Sequence, residues 1–334
     1  MIEQVGSNIF RIEIPLPKSP LKATNSYFIR GNERNLLIDT GFNQTECREA
    51  MDEARNKLGF QMENTDLFLT HIHSDHTGMA GYLYRPEMTV YAGSHYESYL
   101  RDPQTAKTYR NADYRTMVLQ SGLDEMGLCP EDSSVHPGYK YASVPVPKIH
   151  TIQDGDILHV GDLHLQCIET AGHAPDHFCL YDAQRRVLFS GDHILGTITP
   201  NNTLWEEPWT VRNDYLGMYL KNLDKLRSLP IELGLPGHRA LILDCHKRID
   251  ELKEHHKRRL DLVLKILEDG GRYNAAQVAK QMRWDIRAKS WEDFPPAQKY
   301  FAAGEALSHL THLVFQGIVQ KEWKDGKVLY SRIR

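Results

Sequence analysis

The chain has 334 residues, a net charge of −4, and charged and apolar fractions of 25% and 41% that are ordinary for a globular protein. Its length exceeds one ordinary domain core and predicts two units, or one unit with an appendage. No apolar run is long enough to span a bilayer, which excludes a helical membrane protein as the expected class.

Charge is uneven along the chain. Residues 239–334 carry 19 Lys and Arg against 13 Asp and Glu, a balance of +6, which leaves −10 on residues 1–238. The split predicts a boundary near residue 239. The five cysteines (Cys47, Cys129, Cys167, Cys179 and Cys245) are odd in number and match no zinc or redox spacing. Free thiols fit that pattern. Together with a start that reads as alternating strand rather than signal peptide, they predict a cytoplasmic location.

In chain order, NIFRIEI, TNSYFIR and NLLIDTG read as short strands, with a turn signal at Gly31-Asn32. Residues 44–59 have a helical period that stops at Gly59. DLFLT is a buried-type strand, followed by a loop, the short segment TGMAGYLYRP and the strand MTVYAG. This alternation predicts a layered α/β fold. Residues 94–148 break the rhythm with six tyrosines (Tyr96, Tyr99, Tyr109, Tyr114, Tyr139 and Tyr141) and a Pro-rich exit, and read as an insertion that could form a lid. Strands resume over 154–192, and residues 213–229 read as a helix before IELGLPGH. Residues 240–268 predict one long charged helix, with two more helices at NAAQVAKQM and PAQKYFAAGEALSHLTHLVFQG. The last segment holds two strand-like runs around Asp325-Gly326, a strong hairpin signal. Helices followed by a β-hairpin predict a winged-helix-like module over 239–334.

The chemistry concentrates in THIHSDHTG, residues 70–78, where His71, His73, Asp75 and His76 directly follow an apolar strand. A lone histidine is usually a packed or surface residue. Four nitrogen and oxygen donors within six residues instead suit zinc, iron or manganese. Further candidate ligands lie at other strand ends, each beside glycine: His173 in ETAGHAPDH, Asp192 in FSGDH and His238 in GLPGH. Glycine there lets the chain turn sharply and the backbone pass close to a site.

The ordered set HxHxDH, GH, GD and GH, with the LLIDTG strand carrying Asp39, resembles the metallo-β-lactamase fold superfamily over residues 1–238. The resemblance implies an αββα sandwich with two divalent ions at one edge, most readily Zn2+, with Fe or Mn as alternatives. It assigns His71, His73 and His173 to one ion and Asp75, His76 and His238 to the other, with Asp192 bridging and Asp39 orienting a ligand. A bridging hydroxide would then attack a carbonyl carbon, with Asp75 and Asp192 passing protons as well as binding metal. β-Lactamases of this fold usually lack the bridging aspartate, so Asp192 directs the expectation to the glyoxalase II, lactonase and nuclease branches. His73 stands where the flavodiiron branch has glutamate. Only 45 residues separate Asp192 from His238, too few for the insertion of the β-CASP nucleases. A mono-iron persulfide dioxygenase would use fewer of the same ligands. His177 and His193, next to ligands, are candidates to orient a ligand or meet an oxyanion, although ordinary packing is the plainer reading of both.

The tail is similar to that of lactamase-β-like hydrolases with a C-terminal winged-helix domain, some of which act on esters or thioesters and some on single-stranded RNA. The leading expectation is hydrolysis of a small acyl ester, lactone or thioester. The alternative is a ribonuclease acting on single-stranded RNA, which the acidic balance of residues 1–238 disfavours. A DNA-reading winged helix should carry exposed basic residues before its hairpin. Residues 298–316 offer only Lys299, so a cap or a homodimer contact is the better expectation for the tail.

Overall fold

The computed structural model describes residues 1–102, 113–135, 141, 143–286 and 288–333. Tyr109 and Tyr139 of the expected lid lie outside the described residues, as does the side chain of Tyr96.

Two sheets face each other. The first holds seven strands in sequence order: β1 (Ile2–Gln4), β2 (Ile9–Pro15), β3 (Ala23–Ile29), β4 (Asn35–Ile38), β5 (Thr65–Phe68), β6 (Val90–Gly93) and β7 (His150–Ile152). β1 to β4 form an antiparallel meander. β4 to β7 then run parallel, which requires crossovers. These contain α1 (Thr45–Leu58), the short α2 (Ser74–Thr77) and α3 (Ala80–Leu83), and then α4 (Glu97–Arg101). α1 ends as its sequence predicts, with Gly59 in the left-handed conformation donating to the Arg55 carbonyl.

The second sheet holds β8 (Ile157–Val160), β9 (Leu163–Glu169), β10 (Phe178–Asp182), β11 (Val187–Gly191) and β12 (Leu233–Pro236), in spatial order β12-β11-β10-β9-β8. Only β11 and β12 pair in parallel, joined through α5 (Tyr215–Arg227). Apolar side chains of both sheets, including Tyr27, Ile38 and Phe68 from the first and Leu165, Leu180 and Phe189 from the second, share one core. α1 covers the outer face of the first sheet with Met51 and Ala54. α5 and the N-terminal half of α6 (Cys245–Ile266) cover that of the second with Leu216, Leu223, Ile249 and Leu252. The four layers make the expected αββα sandwich.

α6 starts five residues later than its periodicity predicts. Residues before it are drawn into a bridge between Ile242 and Gly234, and the Asp244 carboxylate then caps the helix by accepting from Lys247 N–H at 2.9 Å. After α6 come α7 (Ala275–Gln281), closed by an Asn274/Gln277 capping box, and α8 (Pro296–Phe315). The hairpin β13 (Val319–Lys324) and β14 (Lys327–Arg332) turns at Asp325 and Gly326, both at positive φ, as the sequence predicts. α8 is buried along most of its length, from Ala302 to Leu313. Its Lys299 ammonium donates to the Met126 carbonyl.

Residues 113–121 are helical, and Tyr114, Val118, Leu123 and Leu128 join the core formed by α6, α7, α8 and the hairpin. Tyr114 stacks on Tyr300 at 5.2 Å, and Lys327 pairs with Asp124 at 3.1 Å. This part of the insertion therefore packs on the C-terminal helices. Among the described residues no helix is long and apolar enough to cross a membrane.

Candidate metal centre

The donor residues arrive on loops at one edge of the two sheets. β5 delivers Thr70, His71 and His73, and α2 carries Asp75 and His76. The β9–β10 connection brings His173, the end of β11 brings Asp192, and the end of β12 brings His238. His71 Nε2 lies 2.9 Å from His73 Nδ1, and His173 Nε2 lies 3.0 Å from that same atom. On the other side, His238 Nε2 lies 3.3 Å from Asp75 Oδ2. Asp192 sits between the two groups, with Oδ2 3.4 Å from His238 Nε2 and 3.7 Å from His173 Nε2, and Oδ1 3.4 Å from His76 Nε2. Three overlapping groups could each hold an ion: His71, His73 and His173; His71, His76 and Asp192; Asp75, His76 and His238.

Two glycines make this convergence sterically feasible. A Cβ on Gly191, which has φ 48°, would lie 2.6 Å from His177 Nε2, and one on Gly237 would lie 2.5 Å from Asp192 Oδ1. The glycine of the GH motif thus leaves room for the Asp192 donor itself, and that of the GD motif for the His177 ring behind it.

The outward nitrogens of four histidines are tied, so in their neutral forms the lone pairs point inward. His71 Nδ1–H donates to Thr70 Oγ1 at 3.0 Å, and that hydroxyl donates to Asp39 Oδ2 at 2.8 Å. Asp39 Oδ2 also accepts from His76 Nδ1–H at 2.7 Å, while Oδ1 accepts from Thr70 N–H at 2.9 Å. One carboxylate therefore orients a ring in each group. His173 Nδ1–H donates to the Asn201 carbonyl at 2.9 Å, and His238 Nδ1–H to that of Ala23 at 2.7 Å. His76 Nε2, His238 Nε2 and Asp192 Oδ1 are buried and complete no hydrogen bond: His76 Nε2 faces Asp192 Oδ1, and His238 Nε2 faces Oδ2 of Asp75 and of Asp192. Buried polar atoms are rarely left so. Together with an all-nitrogen-and-oxygen donor set, these atoms fit divalent cations.

Electrostatics divide the histidines. Burial, reinforced by neighbouring imidazoles, pushes His71 well below its ordinary value and His73 down to about 3. Burial lowers His173 as well. Burial also opposes the charged forms of His76 and His238. The carboxylates of Asp39, Asp192 and Asp75 outweigh it at His76, raising it well above the ordinary value, and those of Asp192 and Asp75 raise His238 to about 10. Burial would raise Asp75 and Asp192, but His76 and His238 hold both carboxyls well below the usual range. The carboxylates thus favour the charged forms of His76 and His238, and a cation entering between them would displace protons.

The other two candidates occupy different places. His177 Nε2 accepts from the Asp192 N–H at 3.1 Å and its Nδ1–H donates to Thr170 at 2.7 Å, so it braces the turn that presents Asp192. His193 belongs to none of the three donor groups. Its ring packs on Tyr219 at 4.7 Å, and burial pushes it down to about 3. Thr70, Asn201, the Ala23 carbonyl and Trp205 escape the sequence reading. Trp205 stacks on the His73 ring at 5.2 Å and donates from Nε1 to the His173 carbonyl at 2.9 Å.

The αββα sandwich with His and Asp donors gathered at one sheet edge defines the class to which the chain belongs. The family description "Metallo-beta-lactamase superfamily" matches residues 20–238, and the chain belongs to that superfamily. A metallo-beta-lactamase family protein from Thermus thermophilus has the same fold throughout, with a TM-score of 0.79 and 26% identity over 99% of this chain and 100% of that one. The lactamase-like protein AdaB of Aspergillus niger is 26% identical over 80% of this chain and 66% of its own length. The atrochrysone carboxyl ACP thioesterase of Aspergillus fumigatus is 25% identical over 75% of this chain and 61% of its own. The chain thus spans just under two thirds of these fungal relatives.

Proposed function

We propose that this protein is a dinuclear metal-dependent hydrolase of a small acyl ester, lactone or thioester, with a thioester first among the three. The observation that carries the proposal is the joint assembly of a three-histidine group and an Asp75/His76/His238 group with Asp192 between them. A persulfide dioxygenase needs only one iron, and the second, fully built group favours two ions. The relationship to a fungal thioesterase supports the choice of acyl substrate.

In this reading His71, His73 and His173 would hold one ion, Asp75, His76 and His238 the other, and Asp192 both, with zinc the metal that suits the donors best. Bound ions would supply an acidified water and Lewis-acid polarisation of the acyl carbonyl. The chain's own residues do the rest. Asp39 holds the His71 and His76 rings through Thr70 and directly. The Asp75 and Asp192 carboxylates would bind the ions and could accept a hydrogen bond from that water, orienting it. Trp205 walls the His73 side with apolar surface suited to an acyl group. Residues 1–238 form the catalytic unit, and the winged-helix-like residues 239–334 support it from behind.

Nucleic acid is not the favoured substrate. Residues 1–238 carry −10, and α8, the helix a winged helix would present to DNA, is buried and spends its Lys299 on a backbone carbonyl. The test is a panel of thioesters, lactones and aryl esters, with zinc-loaded and chelator-stripped protein assayed in parallel. Zinc-dependent turnover of a thioester supports the proposal, and a loaded enzyme inert across the panel contradicts it.

A further inference from the structure

The connection from β11 to α5 joins the donor cluster to the C-terminal helices. Asn201 O accepts from His173 Nδ1–H at 2.9 Å. The next residue, Asn202, is fully buried and points the other way, with Nδ2 3.2 Å from His256 Nε2 on α6. His256 Nδ1 lies 3.1 Å from His309 Nε2 on α8, and His309 Nδ1 lies 2.7 Å from the Glu305 carbonyl. A carbonyl only accepts, so His309 Nδ1 carries the proton and its Nε2 the lone pair. His256 Nδ1–H must then donate to His309, which leaves His256 Nε2 to accept from the Asn202 amide. A single donor direction therefore runs from Asn202 to Glu305. Burial pushes His256 well below its ordinary value and His309 to about 3, so both are neutral, as that direction requires.

Other contacts pin the same connection. A Cβ on Gly304 of α8 would lie 2.4 Å from Thr203 Oγ1, so helix and loop are in close approach. Lys321 of β13 donates to the Pro208 and Trp209 carbonyls at 3.2 and 2.6 Å. Asp214, at the end of the connection, accepts from His312 Nδ1 at 2.8 Å. The relay is nevertheless the part that ends one residue from the carbonyl holding His173.

We infer that His256 and His309 are positioning residues: through the Asn202 amide they set the Asn201 carbonyl, and so fix the ring of His173 toward His71 and His73. The C-terminal helices then take part in metal binding without touching a metal. The inference rests on the metal-site reading of those three histidines. Groups that orient a ligating histidine typically contribute 10- to 100-fold to metal affinity, and a relay one residue further out belongs at the low end.

The test is zinc affinity of the full-length, metal-free protein, measured by competition with a chromogenic chelator, beside the visible spectrum of the cobalt-loaded form. His256→Leu and Asn202→Ala are expected to weaken one of the two zinc sites by about 10-fold and to alter the cobalt bands. His256→Gln, whose amide can accept from Asn202 and donate to His309, is expected to restore affinity to within about 3-fold of wild type. Val263→Ala, a core change on the same helix, is the control that lowers Tm while leaving zinc affinity unchanged. Wild-type affinity and cobalt bands in both His256→Leu and Asn202→Ala would overturn the inference, whatever their Tm. Should His256→Leu not fold, Asn202→Ala decides alone. A wild-type protein that binds no zinc would overturn the metal-site reading itself, and this inference with it.

Discussion

The chain builds two buried groups of histidines, and they are wired in opposite ways. At the sheet edge, the outward nitrogens of His71, His76, His173 and His238 are spent on Thr70, Asp39 and two backbone carbonyls; the inward nitrogens of His71 and His173 converge on His73 Nδ1, and those of His76 and His238 face carboxylates without completing hydrogen bonds. Behind it, His256 and His309 use their nitrogens nose to tail, with no carboxylate between them. Burial is comparable, since both groups hold rings near zero exposure. What separates a cation site from a structural relay is therefore the direction in which the lone pairs point, not the density of histidine.

Breaking the first group should have the largest effect. Asp192→Ala removes the carboxylate shared by both sets, and turnover of a thioester is expected to fall on the order of 1,000-fold or more, with metal content dropping from two ions per chain toward one. Elemental analysis alongside kcat/KM checks it; two retained ions and near-native turnover would erase the distinction between the groups. Asp39→Ala leaves every donor in place but frees the His71 and His76 rings. A loss of about 10- to 100-fold in zinc affinity and activity is expected, read by chelator competition and steady-state kinetics.

The second group should also be sensitive to acid. His309 is held near 3 and His256 lower than its ordinary value, so as pH falls the unfolded chain takes up protons before the folded one does. The stability from the neutral pair is complete above about pH 6.5 and drains as pH falls toward about 3, with Tm dropping by about 5 °C or more between pH 7 and 5. A thermal scan series that is flat over that interval would show the pair to be charged or exposed. The smallest expected effect is that of Trp205→Phe. It keeps an aromatic face on His73 but loses the hydrogen bond to the His173 carbonyl, and should cost about 5-fold in kcat/KM with metal content unchanged.

The sequence made the donors of the first group legible because each sits at a strand end beside glycine or inside one short motif, and these local signals survive without knowledge of the fold. Their supports were harder to see. Asn201 and Ala23 act through backbone carbonyls, which any residue type could offer, and Thr70 is one threonine among many until Asp39 lies under it. The second group was invisible as a unit, since His256 and His309 come together only when α6 packs on α8. The start of α6 departs from its periodicity for a related reason: the helical pattern continues upstream of Cys245, but pairing of Ile242 with Gly234 takes those residues away. Residues 113–128 read as part of an insertion near the site, yet their apolar side chains join the C-terminal core, a long-range choice that local pattern does not encode.

The most direct measurement is a crystal structure of the zinc-loaded protein with anomalous data across the zinc edge. The account predicts two anomalous peaks, one among His71, His73 and His173 and one among Asp75, His76 and His238, with Asp192 contacting both. A single peak among the three histidines, with Asp75, His76 and His238 left unliganded, would contradict it.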